Sequence, residues 1–155
     1  MCLHRITWQE TEPHTLSRLC RRIWPITTIA WKVFEVHGER LLFCHGTWNA
    51  ENRPKQARTP HHVPEDIWLT AGHSFSSKPY IYVSSQHDYY RCGFHAFTSQ
   101  QDAQRYIGET YGKDWPADAQ WKAVIRKVLL RDIHTRGIQD DMPSIVARLM
   151  KVPKQ

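Results

Sequence analysis

YRCGFHAFTSQQDAQRYI, residues Tyr90 to Ile107, reads as a strand, a turn and a helix in direct succession. The strand is YYRCGFHAF, and its side chains alternate between two faces, so His95 shares a face with Gly93 and Phe97. Ser99 is an N-cap residue, and Asp102 follows at the three-residue spacing of a capping box. Ala103, Tyr106 and Ile107 then fall at i, i+3 and i+4, which makes them the buried face of the helix. Gly108 or Gly112 is placed to end it. His95 is expected to form part of a wall, partly buried, bonded to a backbone carbonyl or a hydroxyl, and close to His45.

Working outward, KPYIYVSS reads as a strand, and polar QHD separates it from YYRCGFHAF. TTIAWKVFEVHGERLLFCHGTW reads as a hairpin, because two β-rich runs flank His37-Gly38-Glu39 and Gly38 tolerates positive φ. MCLHRITW reads as a short strand. Leu16, Leu19, Cys20 and Ile23 have helical spacing between Pro13 and Pro25, with Arg18, Arg21 and Arg22 on the other side. From Trp48 to Lys78 periodicity is lost, which predicts a long loop with one turn of helix at Pro64–Trp68. Downstream, a short helical piece is expected at Pro116–Gln120, a strand at Ala123–Ile133 and a turn region at HTRGIQDD. SIVARLMKV closes the chain as a strand, placed at an edge because of Arg148 and Lys151. These elements predict an α+β fold. It is a single compact domain over residues 1–155 with a mostly antiparallel sheet and two or three segregated helices. Residues 1–28 form its N-terminal extension.

The chain has 155 residues, 41% hydrophobic and 23% charged, which fits a folded domain with a real core. No apolar run approaches the ~18 residues of a membrane span. The first residues lack an apolar signal core, so a cytoplasmic location is expected. Cys2, Cys20, Cys44 and Cys92 form no CxxC pair and are expected as free thiols. Cys2 would become a nucleophile only after loss of Met1, and is read as a small apolar residue of the first strand. The net charge of +6 suits contact with nucleic acid or an acidic protein and excludes a DNA mimic. Arg18, Arg21, Arg22, Arg53, Lys55 and Arg58 would form a nucleic-acid or partner-contact face if the first helix and the long loop meet. A solvated helix face is the plain alternative. No metal site is expected: Cys92 and His95 are three apart in a strand and point to opposite faces, and His61-His62 has no second pair.

LLFCHGT (Leu41–Thr47) together with GFHAFTSQQDAQRY (Gly93–Tyr106) resembles the pattern of ADP-ribosyltransferases. In that family a strand ends in His-Gly-Ser/Thr, and a later Gly-aromatic strand leads through a Ser/Thr turn into a helix with A-x-x-Y. The resemblance implies an ADP-ribosyltransferase-like layout with NAD as cofactor. His45, Gly46 and Thr47 would hold the nicotinamide ribose and amide, His95 stands where the family often has tyrosine, and Tyr106 would pack behind it. The family's late-strand glutamate has no counterpart after Glu109, which leaves Asp140 or Asp141, one carbon shorter, as the acid. A broader resemblance covers most of residues 29–152. WKVF…GERLL, the GFHAF segment, VIRKVLLRDIHTRGI and IVARLMKV look like a group of small proteins encoded by phages and prophages. It implies an accessory protein without a cofactor that binds and modulates a host protein or nucleoprotein complex, for example as an inhibitor of a defence system.

Overall fold

The computed structural model describes residues 3–10, 26–43, 62–71, 80–83, 85–91, 93–110 and 122–154. In chain order the strands are β1 (Arg5–Gln9), β2 (Thr28–His37), β3 (Arg40–Phe43), β4 (Trp68–Thr70), β5 (Tyr80–Val83), β6 (Asp88–Arg91) and β7 (Phe94–Phe97). The helix α1 (Gln100–Thr110) follows, then β8 (Lys122–Gln139) and β9 (Met142–Lys151). The coarse expectation of a mostly antiparallel, sheet-rich α+β fold holds. Among the described residues there is one helix, fewer than the two or three expected. The segments read as the other helices, near residues 14–24 and 116–120, lie outside the described residues, as do His61 and all four cysteines.

The β8–β9 hairpin is the backbone of the fold. Its two-residue turn is Asp140-Asp141, with φ of 48° and 59°, the left-handed pair that a tight hairpin needs and that Asp tolerates. The remainder of the predicted turn region, His134–Gln139, is strand instead. Gly137 suggested a turn, but its role is close approach: a Cβ there would lie 2.2 Å from the Arg5 carbonyl oxygen. Its missing side chain lets β1 pair closely with β8. The antiparallel pairings close on themselves, since β8 pairs with β2, β2 with β7, β7 with β9, and β9 with β8. β9 is therefore internal, not an edge strand, with β8 on one side and both β7 and β4 on the other. Arg148 and Lys151, which suggested an edge, reach Asp132 and Asp66 at 3.9 and 3.5 Å.

The ring encloses one core. Ala30 and Phe34 from β2, Phe94 and Ala96 from β7, Val128 and Leu130 from β8, and Ile145, Ala147 and Met150 from β9 fill it. Leu130 and Ile133 both reach this interior although they are three residues apart. Strict alternation forbids that; Asp132, with φ of 55°, resets it. That irregularity is why the hydrophobic pattern of β8 looked broken in the sequence. Two layers cover parts of the outer face. α1 lays Ala103 and Tyr106 on Val33, Phe97 and Met142. The β5–β6 ribbon lays Val83 and Tyr90 against Leu3 and Val146.

Several local readings hold. The β2–β3 hairpin turns at Gly38, with φ of 61°. Ser99 Oγ accepts the Asp102 amide at 3.0 Å and donates to its carboxylate at 2.6 Å, so Ser99 caps the start of α1. The helix continues through Gly108 to Thr110. Others are corrected. Part of the predicted 48–78 loop is built into the sheet: the Val63 amide donates to the Leu41 carbonyl at 2.7 Å, the Asp66 amide to that of Val152 at 2.8 Å, and β4 pairs with β9. Pro64–Trp68 is consequently an extended bend leading into β4, not a turn of helix. YYRCGFHAF is not one strand but two, β6 in the ribbon and β7 in the main sheet. Gly93 lies between them, where a Cβ would come within 2.7 Å of the Ala147 carbonyl oxygen.

Candidate functional site

β7 pairs with β9 so that His95 faces Val146 and Phe97 faces Ser144. Phe94 and Ala96 point into the core; His95 and Phe97 point to the outer face. On that face the ribbon closes over His95, leaving it 6% exposed. Its Nδ1 lies 3.1 Å from the Gly93 carbonyl oxygen. A carbonyl can only accept, so Nδ1 carries the proton and Nε2 is an acceptor. Nε2 takes a hydrogen bond from the Tyr90 hydroxyl at 2.9 Å, and the Tyr90 oxygen in turn accepts the Leu3 amide at 2.9 Å. The chain Leu3–Tyr90–His95–Gly93 therefore fastens the N-terminal segment and the ribbon to the main sheet. Burial, reinforced by the positive charge of Lys32, lowers the His95 pKa to about 3, so the ring is neutral at physiological pH.

Lys32 has a distinct part in the same region. β2 and β7 meet in register only at Trp31 and Phe97. Beyond that point the strands diverge, and the Lys32 ammonium donates to the His95 carbonyl at 2.7 Å across the gap. The amine also lies 6.0 Å from the centre of the Phe43 ring. Phe43 stacks on Phe94 at 5.9 Å, so the described ends of the two resemblance-bearing segments, β3 and β7, flank the same edge of β2.

The other sequence-derived residues distribute as follows. Tyr106 is buried behind Phe97, with ring centres 5.2 Å apart. It also borders an open depression of about 430 Å³ together with Glu109, Thr110 and Asp140. Asp140 interacts with His4 at 3.4 Å, and Asp141 is exposed beside it in the turn. His95 does not border this depression. His45, Gly46, Thr47 and the cations Arg18, Arg21, Arg22, Arg53, Lys55 and Arg58 lie outside the described residues.

A different surface emerges that the sequence reading did not single out. At the end of the sheet away from the ribbon, register places Ile29 beside Leu129, Leu129 beside Lys151, and Lys151 beside Trp68. One row thus crosses β2, β8, β9 and β4. Trp31 stands beside Lys127 in the adjoining row. Arg131 spans the sheet end, donating to Thr27 Oγ1 at 2.8 Å and lying 4.2 Å over the Trp68 ring. Ile29 is 47% exposed and Lys127 is exposed. The signal for this surface was the outward half of each strand's alternation, but that half is defined only once the register is known. No family model, curated protein or solved structure matches the chain.

Proposed function

We propose that the protein is an accessory binding protein of the kind that phages and prophages encode, acting by docking on a host protein or nucleoprotein complex, such as a defence system. The observation that carries this reading is the basic and apolar outer face around Ile29, Lys127 and Arg131, on a chain with net charge +6. The placement of His95 agrees with it. Both ring nitrogens are engaged in holding the fold, so the most conspicuous titratable side chain of the GFHAF segment serves structure. The test is capture from a bacterial host lysate, with and without nuclease, beside a control protein of equal charge. Specific retention of a defined partner, reduced by charge reversal at Lys127, is the expected result. Retention no greater than the control's rejects the reading.

A second reading, an NAD-dependent ADP-ribosyltransferase-like protein, degenerate or active, draws on one specific observation. Tyr106 and Asp140 border the same depression, with Glu109 as a further carboxylate. Calorimetry with NAD at millimolar concentration tests it, and an absence of heat beyond dilution removes it.

A further inference from the structure

Resting on the docking reading, we infer that the partner contacted by the β2–β8–β9–β4 face is single-stranded nucleic acid. The face combines the two groups that such a ligand requires. Trp68 offers an indole ring at one side of the sheet end, Lys127, Arg131 and Lys151 supply cations beside it, and Trp31, half-buried against the cluster under α1, borders the far side. Bases stack on aromatic and guanidinium planes without regard to sequence, and phosphates pair with the cations. Arg131 is already held there: its bond to Thr27 tethers the guanidinium over Trp68, 4.2 Å from the ring centre, a combined cation–ring surface. The carboxylate that reaches this row is Asp66, 3.5 Å from Lys151. Asp132, beside Arg131 in sequence, is directed to Arg148 at 3.9 Å. Lys127 has no ion-pair partner among the described residues, so the row keeps an excess of positive charge. An acidic protein segment would use the cations but has no flat base for the Trp68–Arg131 surface. That difference favours nucleic acid. Duplex is disfavoured because its bases are already stacked on one another.

The test uses the full chain, a 5′-labelled oligothymidine of about 20 nucleotides and fluorescence anisotropy at about 50 mM salt. Binding is expected to weaken with salt, with a slope of about −2 in log K against log salt, as three phosphate contacts on a single strand imply. Lys127→Glu is expected to reduce affinity about five- to tenfold and to flatten that slope by about 0.7. Arg40→Glu, the same charge change at the exposed start of β3 on the remote hairpin, should leave affinity within about twofold. Trp68→Leu keeps bulk but removes the stacking plane and should weaken binding about fivefold or more. Melting temperatures establish that each variant is folded, and Lys127→Glu decides alone if Trp68→Leu is not. Equal losses for Lys127→Glu and Arg40→Glu would overturn the placement of the site. Binding of polyglutamate as tight as that of oligothymidine would overturn the ligand class in favour of an acidic protein. Absence of oligothymidine binding overturns the inference outright. The docking reading would then still be decided by whether a nuclease-treated lysate yields a partner.

Discussion

Acid should destabilise this protein through His95, and the size of the effect follows from its surroundings. In the unfolded chain a histidine titrates near 6.5; in the fold His95 does so at about 3. The folded pKa is the lower one, so the unfolded state binds the proton first. The stabilisation is therefore complete above about pH 6.5 and is lost as pH falls from there toward 3. Each unit in this window costs about 1.4 kcal/mol, so the whole shift corresponds to about 5 kcal/mol, and the fall from pH 6.5 to pH 5 to about 2 kcal/mol. The cause is geometric as well as electrostatic. Protonation converts Nε2 from acceptor to donor, facing a Tyr90 oxygen that already accepts the Leu3 amide, and places a second cation near Lys32. The assay is urea unfolding, followed by tryptophan fluorescence, of wild type and His95→Gln at pH 7.5 and pH 5. Glutamine keeps polar atoms but cannot titrate. Carboxylates, and His134, whose pKa burial also lowers, act in both proteins and cancel in the difference. Wild type should exceed the variant by about 2 kcal/mol more at pH 7.5 than at pH 5. A difference that does not change with pH, or an NMR titration of His95 near 6.5, would refute the buried neutral ring.

Three further outcomes are expected. Lys32→Met removes the donor that satisfies the His95 carbonyl where β2 and β7 diverge, and should lower stability by about 1–3 kcal/mol in the same urea assay, while the pKa of His95 rises. Gly137→Ala sets a Cβ against the Arg5 carbonyl oxygen and the Leu3 side chain, so β1 must shift; a loss of about 2–3 kcal/mol, with faster amide exchange at residues 5–9, is the measurement. Ser99→Ala removes the N-cap of α1 and should cost about 1 kcal/mol, whereas Ser99→Asp should restore most of it.

What was legible in the sequence was local. The Gly38 hairpin, the Ser99 cap and the Ala103–Tyr106–Ile107 face are fixed by neighbours within four residues, and each could be read directly. The failures share a physical origin in contacts distant along the chain. Gly93 reads as mid-strand and Gly137 as part of a turn, and the structure reverses both, because each lies against a backbone oxygen from another strand. Asp132 breaks the alternation of β8 with a positive φ that no local pattern announces. The segment around His62–Ala71 looked structureless because its order comes from the short pairing of β4 with β9, from hydrogen bonds to Leu41, Arg148 and Val152, and from Arg126, which binds the Glu65 carboxylate and the Pro153 carbonyl. The same limit hid the outer face. Ile29, Lys127 and Trp68 are separated in sequence and become neighbours only through register.

The two coverings of the outer face give that exposed end its meaning. A closed ring of strands has an inside that must be apolar and an outside that is free to be polar. Here α1 and the β5–β6 ribbon convert parts of the ring's surroundings into additional core, with Phe97 under one and His95 under the other. If stability alone governed the rest, the uncovered strands would carry short polar side chains outward. They carry Ile29 and Trp68 beside lysine and arginine, a composition that increases the hydrophobic surface offered to water and leaves it charged. Burial elsewhere has removed His95 from chemistry, and the capped helix has placed Tyr106 against Phe97. The side chains that remain available for contact are therefore concentrated where no second layer lies among the described residues. A substitution such as Lys127→Glu separates the two roles, because it alters that face while touching neither the core nor the hydrogen-bond chain that closes it.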